Sequence, residues 1–225
     1  MLPYIILHNT VSIDGRIDWF APDIGLFYEL TSFWKEDATL AGSDTLLKAY
    51  SGEPAPGTVG ETPIPLQKKA DDPRPLLVVP DTRGRLQRFG HLLQKEPYWR
   101  DIVVLCSDTT SKDYLSYLKK RHIGYIVSGN DHADLKQALE ELNASYGVKV
   151  VRVDRGGTLN GVLLRAGLVN EVSILVHPCL VGGVTPQSIF RSADLTSAED
   201  VVHLKLSHIE KLRDDIVWLR YQVLR

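Results

Sequence analysis

Val150-Val151-Arg152-Val153-Asp154-Arg155-Gly156-Gly157-Thr158-Leu159-Asn160-Gly161-Val162-Leu163-Leu164 passes from a β-branched run through a glycine pair into an amphipathic helical stretch. A strand that feeds a helix in this way is the repeating step of an α/β fold. Glycines let the backbone turn sharply and approach a ligand, and the unpaired N–H groups and positive dipole end of the helix then favour an anion. A dinucleotide phosphate suits such a junction, although a plain tight connection has the same pattern. The spacing G-x-G-x-x-G is absent, and Gly161 is followed by Val162-Leu163 where a Walker loop needs Lys and Ser/Thr, so neither motif applies.

Upstream, Tyr4 to His8 reads as a buried first strand, Asn9 to Arg16 as a loop, and Ile24 to Trp34 as an aromatic-rich helical stretch. A strand near Thr39 to Ala41 and a short helix from Ser43 follow. Half of the twelve prolines fall between Gly52 and Pro75, which predicts an extended excursion over 52–75 rather than a core element. Strands and helices then alternate: Leu76–Val79, Ile102–Leu105, helix Ser111–Arg121, Tyr125–Val127, helix Asp131–Ser145, Val148–Val153, helix Leu159–Ala166. Val172, Ile174 and Val176 alternate as a half-buried strand does. Val201–Ile209 and Ile216–Val223, joined by a charged turn, read as an antiparallel hairpin. The expected fold is α/β, a mixed and mainly parallel sheet flanked by helices with a C-terminal antiparallel hairpin, in a single domain over 1–225.

The 225 residues include 26 basic and 28 acidic side chains, a formal charge of −2, which gives no broad reason to expect nucleic acid or an anionic membrane as partner. Cys106 and Cys179 form neither a C-x-x-C pair nor a disulfide framework, and each is expected to pack as a small buried hydrophobe. With no signal h-region and no long apolar run, the expectation is a soluble cytoplasmic protein. No metal motif is present, since H-x-E and P-C-x-x-C are both missing.

Six short elements, in order along the chain, resemble the RibD C-terminal reductases, a dihydrofolate-reductase-like family of riboflavin biosynthesis. They are Ser12-Ile13-Asp14-Gly15-Arg16, Gly42-Ser43-Asp44-Thr45-Leu46-Leu47, Val78-Val79-Pro80-Asp81-Thr82-Arg83, Asp154-Arg155-Gly156-Gly157-Thr158-Leu159-Asn160, Gly167-Leu168-Val169-Asn170-Glu171-Val172 and His177-Pro178-Cys179-Leu180-Val181-Gly182-Gly183. The resemblance implies a stand-alone NADPH-dependent reductase that opens the ribosyl ring of a phosphoribosylamino-pyrimidine and delivers hydride to its anomeric carbon. It also implies a homodimer, to which the aromatic stretch with Phe27, Phe33 and Trp34 would contribute unless core burial claims it.

By the same resemblance, Gly156, Gly157, Thr158 and Leu159 hold the pyrophosphate. Thr82 and Arg83 contact the adenosine ribose and its 2′-phosphate, Gly42 and Thr45 lie beside the cofactor, Ser128 and Gly129 near the adenine, and the loop from Ser12 to Arg16 over the nicotinamide. Asp154 stands where the family has a glutamate and would stabilise positive charge on the substrate. His8 or Asn9, with Asp14 and Arg16, would contact the substrate, while His8 reads equally as a packed histidine and Asp14 as a turn residue. The family's D-D-P-x-L-T-x-R segment is replaced by Lys48-Ala49-Tyr50-Ser51-Gly52, which leaves open Lys48, Arg74 or Arg16 as a substitute contact. It also leaves open a same-fold reductase of another substrate, such as a pterin, imine or carbonyl compound, or a nucleotide-binding protein without turnover.

Overall fold

The computed structural model describes residues 1–50, 72–154, 156–184 and 188–224. Most of the proline-rich excursion expected over 52–75, and Arg155, lie outside the described residues. In chain order the elements are β1 (Tyr4–Ser12), α1 (Ile24–Thr31), β2 (Ala38–Ala41), α2 (Ser43–Ala49), β3 (Leu76–Pro80), α3 (Gly90–Leu93), β4 (Asp101–Cys106), α4 (Lys112–Lys120), β5 (Gly124–Val127), α5 (Leu135–Tyr146), β6 (Val150–Asp154), α6 (Gly157–Arg165), β7 (Glu171–His177), β8 (Leu204–Lys211) and β9 (Val217–Val223).

The chain divides into two compact units, the first made of Met1–Pro3 and Asp37–Lys149, the second of Tyr4–Glu36 and Val150–Arg225. In the first, four strands run parallel in the order β5-β4-β3-β2. All six residues of β4 are buried, as are the first four of β3. Such continuous apolar runs belong to strands covered on both faces. Leu77, Val79, Ile102 and Val104 from the sheet meet Leu86, Leu93, Tyr114 and Leu118 in one core cluster. Helices α4 and α5 start on side-chain caps, Ser111 accepting from Tyr114 N and Asp134 from Gln137 N. Helix α3 and the short 3-10 turn Arg85–Arg88 before it lack long apolar periodicity, so neither was expected.

The second unit holds β6-β1-β7-β9-β8, parallel from β6 to β7 and antiparallel through β9 and β8. Strand β1 continues four residues past the expected end at His8. Asn9, Thr10 and Ser12 read as loop because they are polar, yet all are buried, since β1 pairs with β7 as far as Ser12↔His177. Helix α1 packs Leu26 and Phe27 against Leu175, Ile216 and Trp218, so Phe27 belongs to the core rather than to a partner surface. Cys106 is buried as expected, whereas Cys179 is half-exposed; both are free thiols. Among the described residues, no helix is long and apolar enough to cross a membrane.

Candidate active site

In the second unit, parallel pairing puts the end of β6 beside the middle of β1. The register His8↔Asp154 and His8↔Ser173 lines up three polar residues across β6, β1 and β7 on one face. His8 is fully buried; its Nδ1 pairs with Ser173 Oγ at 2.9 Å and its Nε2 with Phe27 O at 3.1 Å, and its ring stacks on Phe27 at 4.3 Å. Burial pushes its pKa down to about 3, so the ring is neutral. With both nitrogens engaged inside the core, His8 fits the packed reading, and the expected substrate contact has no ring atom left to make it.

Asp154, at the end of β6, is half-buried, and its Oδ2 accepts from Tyr28 Oη at 3.3 Å. The same oxygen lies 3.4 Å from Nη1 of Arg152, two residues earlier and on the same face. Arg152 is buried, and its Nε donates to Glu36 Oε1 at 2.8 Å while its guanidinium lies 5.8 Å from the centroids of Phe27 and Tyr28. Burial works against this cation, but the carboxylates of Asp154 and Glu36 outweigh it and hold its pKa above the ordinary value. The sequence reading passed over Arg152, Glu36 and Tyr28. The signal was present: arginine and aspartate at i and i+2 in a valine-rich strand share a face.

The loop after β1 is tied down by its own polar groups. Ser12 Oγ donates to Asp14 Oδ1 at 2.6 Å and accepts from Arg16 N at 3.0 Å. Asp14 also accepts from Val181 N at 3.1 Å and Gly182 N at 2.7 Å, while Arg16 reaches Gly183 O. Asp14 is therefore held near a pKa of about 2, first by Ser12 and then by the two backbone donors. These bonds join the 12–16 loop to the 179–183 loop, so Asp14 does more than shape its own turn. Ser12 and Asp14 both use side-chain oxygens to hold that junction. Asn9 is buried on the other face of β1, where its Oδ1 accepts from Asn160 Nδ2 at 3.2 Å and its own Nδ2 has no partner among the described residues.

Helix α6 starts as the junction predicts. Gly156 sits at φ 133°, ψ 101°, a conformation glycine alone adopts readily, and among the described residues no side-chain cap bond closes the helix; Thr158 is exposed and Leu159 half-exposed. An uncapped helix start of this kind suits an anionic group. Gly157 has a different reason to be glycine. A Cβ there would stand 2.2 Å from Ser188 O, and one on Gly161 2.2 Å from Arg191 O. Gly157 O accepts from Arg191 N and Asn160 Nδ2 donates to Ile189 O, so residues 188–191 lie directly on the glycine face of the helix.

In the first unit, the expected cofactor residues all fall at the carboxyl ends of parallel strands, the usual ligand edge of an α/β sheet. Gly42 precedes α2, with Thr45 in its first turn, and Thr82 and Arg83 follow β3. Ser128 and Gly129 follow β5. Thr110 Oγ1 donates to Thr82 O at 3.1 Å and Asp108 N to Gly129 O at 3.0 Å, which ties three strand-end loops together. Arg83 is exposed, whereas Arg85 pairs with Asp44. Buried Asp81 accepts from Arg85 N, Leu86 N and Tyr114 Oη, fixing the turn that carries Arg83. Ser128 and Gly129 are structural in their side-chain identity: Ser128 Oγ donates to Asp134 O, and a Cβ on Gly129 would stand 2.5 Å from His132 O. Arg74 is held by Asp72 and Pro97 O. No cluster of three potential metal ligands occurs among the described residues.

The sequence profile of the RibD C-terminal domain matches residues 3–218. The chain is 25% identical over 238 aligned positions to the 2,5-diamino-6-ribosylamino-4(3H)-pyrimidinone 5′-phosphate reductase of Methanothermobacter thermautotrophicus, covering 96% of this chain and 97% of that one. It is 26% identical to the riboflavin biosynthesis protein RibD of Bacillus amyloliquefaciens over 96% of its own length, but spans only 56% of that protein. Among solved structures, a pyrimidine reductase-like protein from Corynebacterium diphtheriae superposes with a TM-score of 0.69 at 17% identity, over 99% of this chain and 92% of the other.

Proposed function

Because the chain belongs to the RibD C-terminal domain family, we propose that it is an NADPH-dependent reductase that converts the ribosylamino side chain of a phosphoribosylamino-pyrimidine to ribitylamino. The observation that carries this reading is the near end-to-end match to the Methanothermobacter thermautotrophicus reductase, which is named for such a compound.

Bound NADPH would supply the hydride. On the substrate, opening of the ribosyl ring breaks the bond between C1′ and the ring oxygen; hydride adds at C1′ and a proton completes the hydroxyl, a net gain of two hydrogens. The carbon that accepts hydride carries iminium-like positive charge, so a fixed carboxylate nearby lowers the barrier. Asp154 is the proposed group, aimed by Tyr28 Oη and paired with the Arg152 guanidinium beside it. Asn9, with its unpaired Nδ2, remains a proposed substrate contact, and Arg16 another, through its charge.

For the cofactor, the uncapped first turn of α6, with Gly156, Gly157, Thr158 and Leu159, is the proposed pyrophosphate cradle. Thr82 and exposed Arg83 are the proposed holders of the 2′-phosphate, with Gly42, Thr45, Ser128 and Gly129 at the same strand ends. Ser12 acts through the loop it braces. The whole chain works as one catalytic domain, as a cytoplasmic homodimer.

Purified protein with NADPH and the diaminopyrimidinone substrate should give a product heavier by two hydrogens in mass spectrometry. Binding of NADPH with no such product would reject this substrate class.

A further inference from the structure

We propose that β8 is the contact surface of the homodimer, pairing antiparallel with β8 of a second copy about a two-fold axis between Ser207 and His208. This deepens the homodimer reading above and does not depend on the catalytic one.

Strand β8 ends its sheet, bonded only to β9 among the described residues. Seven of its eight residues are exposed, including Leu204 at 40%, Leu206 at 48% and Ile209 at 63%. An edge strand with three exposed aliphatic side chains is a ready template for another chain, and soluble proteins normally blunt such edges. The strand holds no proline, and among the described residues no element covers it; its edge carries Lys205, Glu210 and Lys211 and is interrupted by a bulge. The register runs Leu206↔Tyr221 and then His208↔Arg220, leaving Ser207 as the extra residue.

The bulge decides which self-pairing is possible. In a regular strand, residues 206 and 209 face opposite ways and cannot stand opposite each other. In β8, Leu204, Leu206, Ile209 and Lys211 oppose Val223, Tyr221, Leu219 and Val217, all on one face. Lys205, His208 and Glu210 oppose Gln222, Arg220 and Trp218 on the other. An axis between Ser207 and His208 therefore matches sidedness over the full strand. It sets Leu206 of one copy opposite Ile209 of the other, and Lys205 opposite Glu210, each twice by symmetry.

Both pairs are complementary. Among the described residues Lys205 makes no ion pair, and the carboxylate of Glu210 pairs with His208 at 3.1 Å. Opposite charges directly across a strand pair stabilise it, and like charges in that place destabilise it. The aliphatic pair brings the exposed Leu204, Leu206 and Ile209 of both copies into one continuous apolar strip on the shared sheet face.

The test is sedimentation equilibrium on the full chain and four variants, with circular dichroism to confirm that each is folded. Lys205→Glu and Glu210→Lys should each weaken the dimer roughly tenfold, because two pairs turn repulsive, and the double reversal should restore it. Ile209→Asp, at a solvent-exposed site, should give monomer. A monomeric unmodified chain would overturn both the surface and the homodimer reading. A dimer indifferent to these substitutions, or a double reversal no tighter than the single ones, would overturn the surface and leave the homodimer standing.

Discussion

Arg152 and Asp154 share one face of β6, with Nη1 and Oδ2 3.4 Å apart, and the other side of the same guanidinium holds Glu36 at 2.8 Å. A buried cation between two carboxylates fixes both, at the cost of desolvating all three. Removing it should be expensive. Arg152→Met leaves Asp154 and Glu36 facing an apolar stub, and a loss of about 3–5 kcal/mol is expected in urea unfolding. Arg152→Lys keeps the charge without the fork and should lose less, while lowering kcat more than it raises KM, because the carboxylate it aims is displaced.

His8 supplies a pH dependence with a defined sign. Its folded pKa of about 3 lies below the unfolded value of 6.5, so the unfolded chain takes up a proton that the folded chain excludes. The stability it contributes is complete above pH 6.5 and is lost progressively as pH falls toward 3. Between pH 6.5 and 5 the loss should be about 2 kcal/mol. His8→Gln cannot titrate, so the difference between the two proteins in denaturant unfolding should shrink by that amount over the same interval.

At Gly161 helix propensity and packing predict opposite signs. Alanine in a helix interior ordinarily gains about 1 kcal/mol over glycine. A Cβ here would lie 2.2 Å from Arg191 O, so Gly161→Ala should instead destabilise by about 1–3 kcal/mol and loosen residues 188–191. Thermal unfolding gives the sign, and faster amide exchange on that segment identifies the cause.

Arg83 is exposed at the carboxyl edge of the parallel sheet, while Arg85, two residues on, is engaged by Asp44. If Arg83 holds the 2′-phosphate, Arg83→Ala should cut the preference for NADPH over NADH roughly tenfold to a hundredfold in kcat/KM, with the NADH value unchanged. An equal loss with both cofactors would assign Arg83 a structural role.

Much of the fold was legible because its signals are local. The β-branched runs of β3, β4 and β6, the helix start at Ser111 and the Gly156-Gly157 junction each declare themselves within a few residues, whereas the helix expected from Asp131 begins at Leu135, after its cap Asp134. The end of β1 was not legible: Asn9, Thr10 and Ser12 are buried by partners more than 160 residues away, which no local window contains. The site shows the same split. Alternation places Thr82, Arg83 and Ser128 at strand ends, while their role was expected only from the family resemblance; the braces at Asp14 and the Arg152 cluster depend on long-range pairing. Gly157 and Gly161 carry the plainest lesson, since glycine reads the same whether a ligand or the protein's own backbone comes close.

The central claim is tested most directly by following reduced-nicotinamide absorbance after adding the phosphoribosylamino-diaminopyrimidinone to the purified protein with NADPH. The predicted result is substrate-dependent oxidation that is far slower with NADH and is strongly reduced in Asp154→Asn. Tight NADPH binding without oxidation would contradict the assigned substrate, and failure to bind either dinucleotide would contradict the account as a whole.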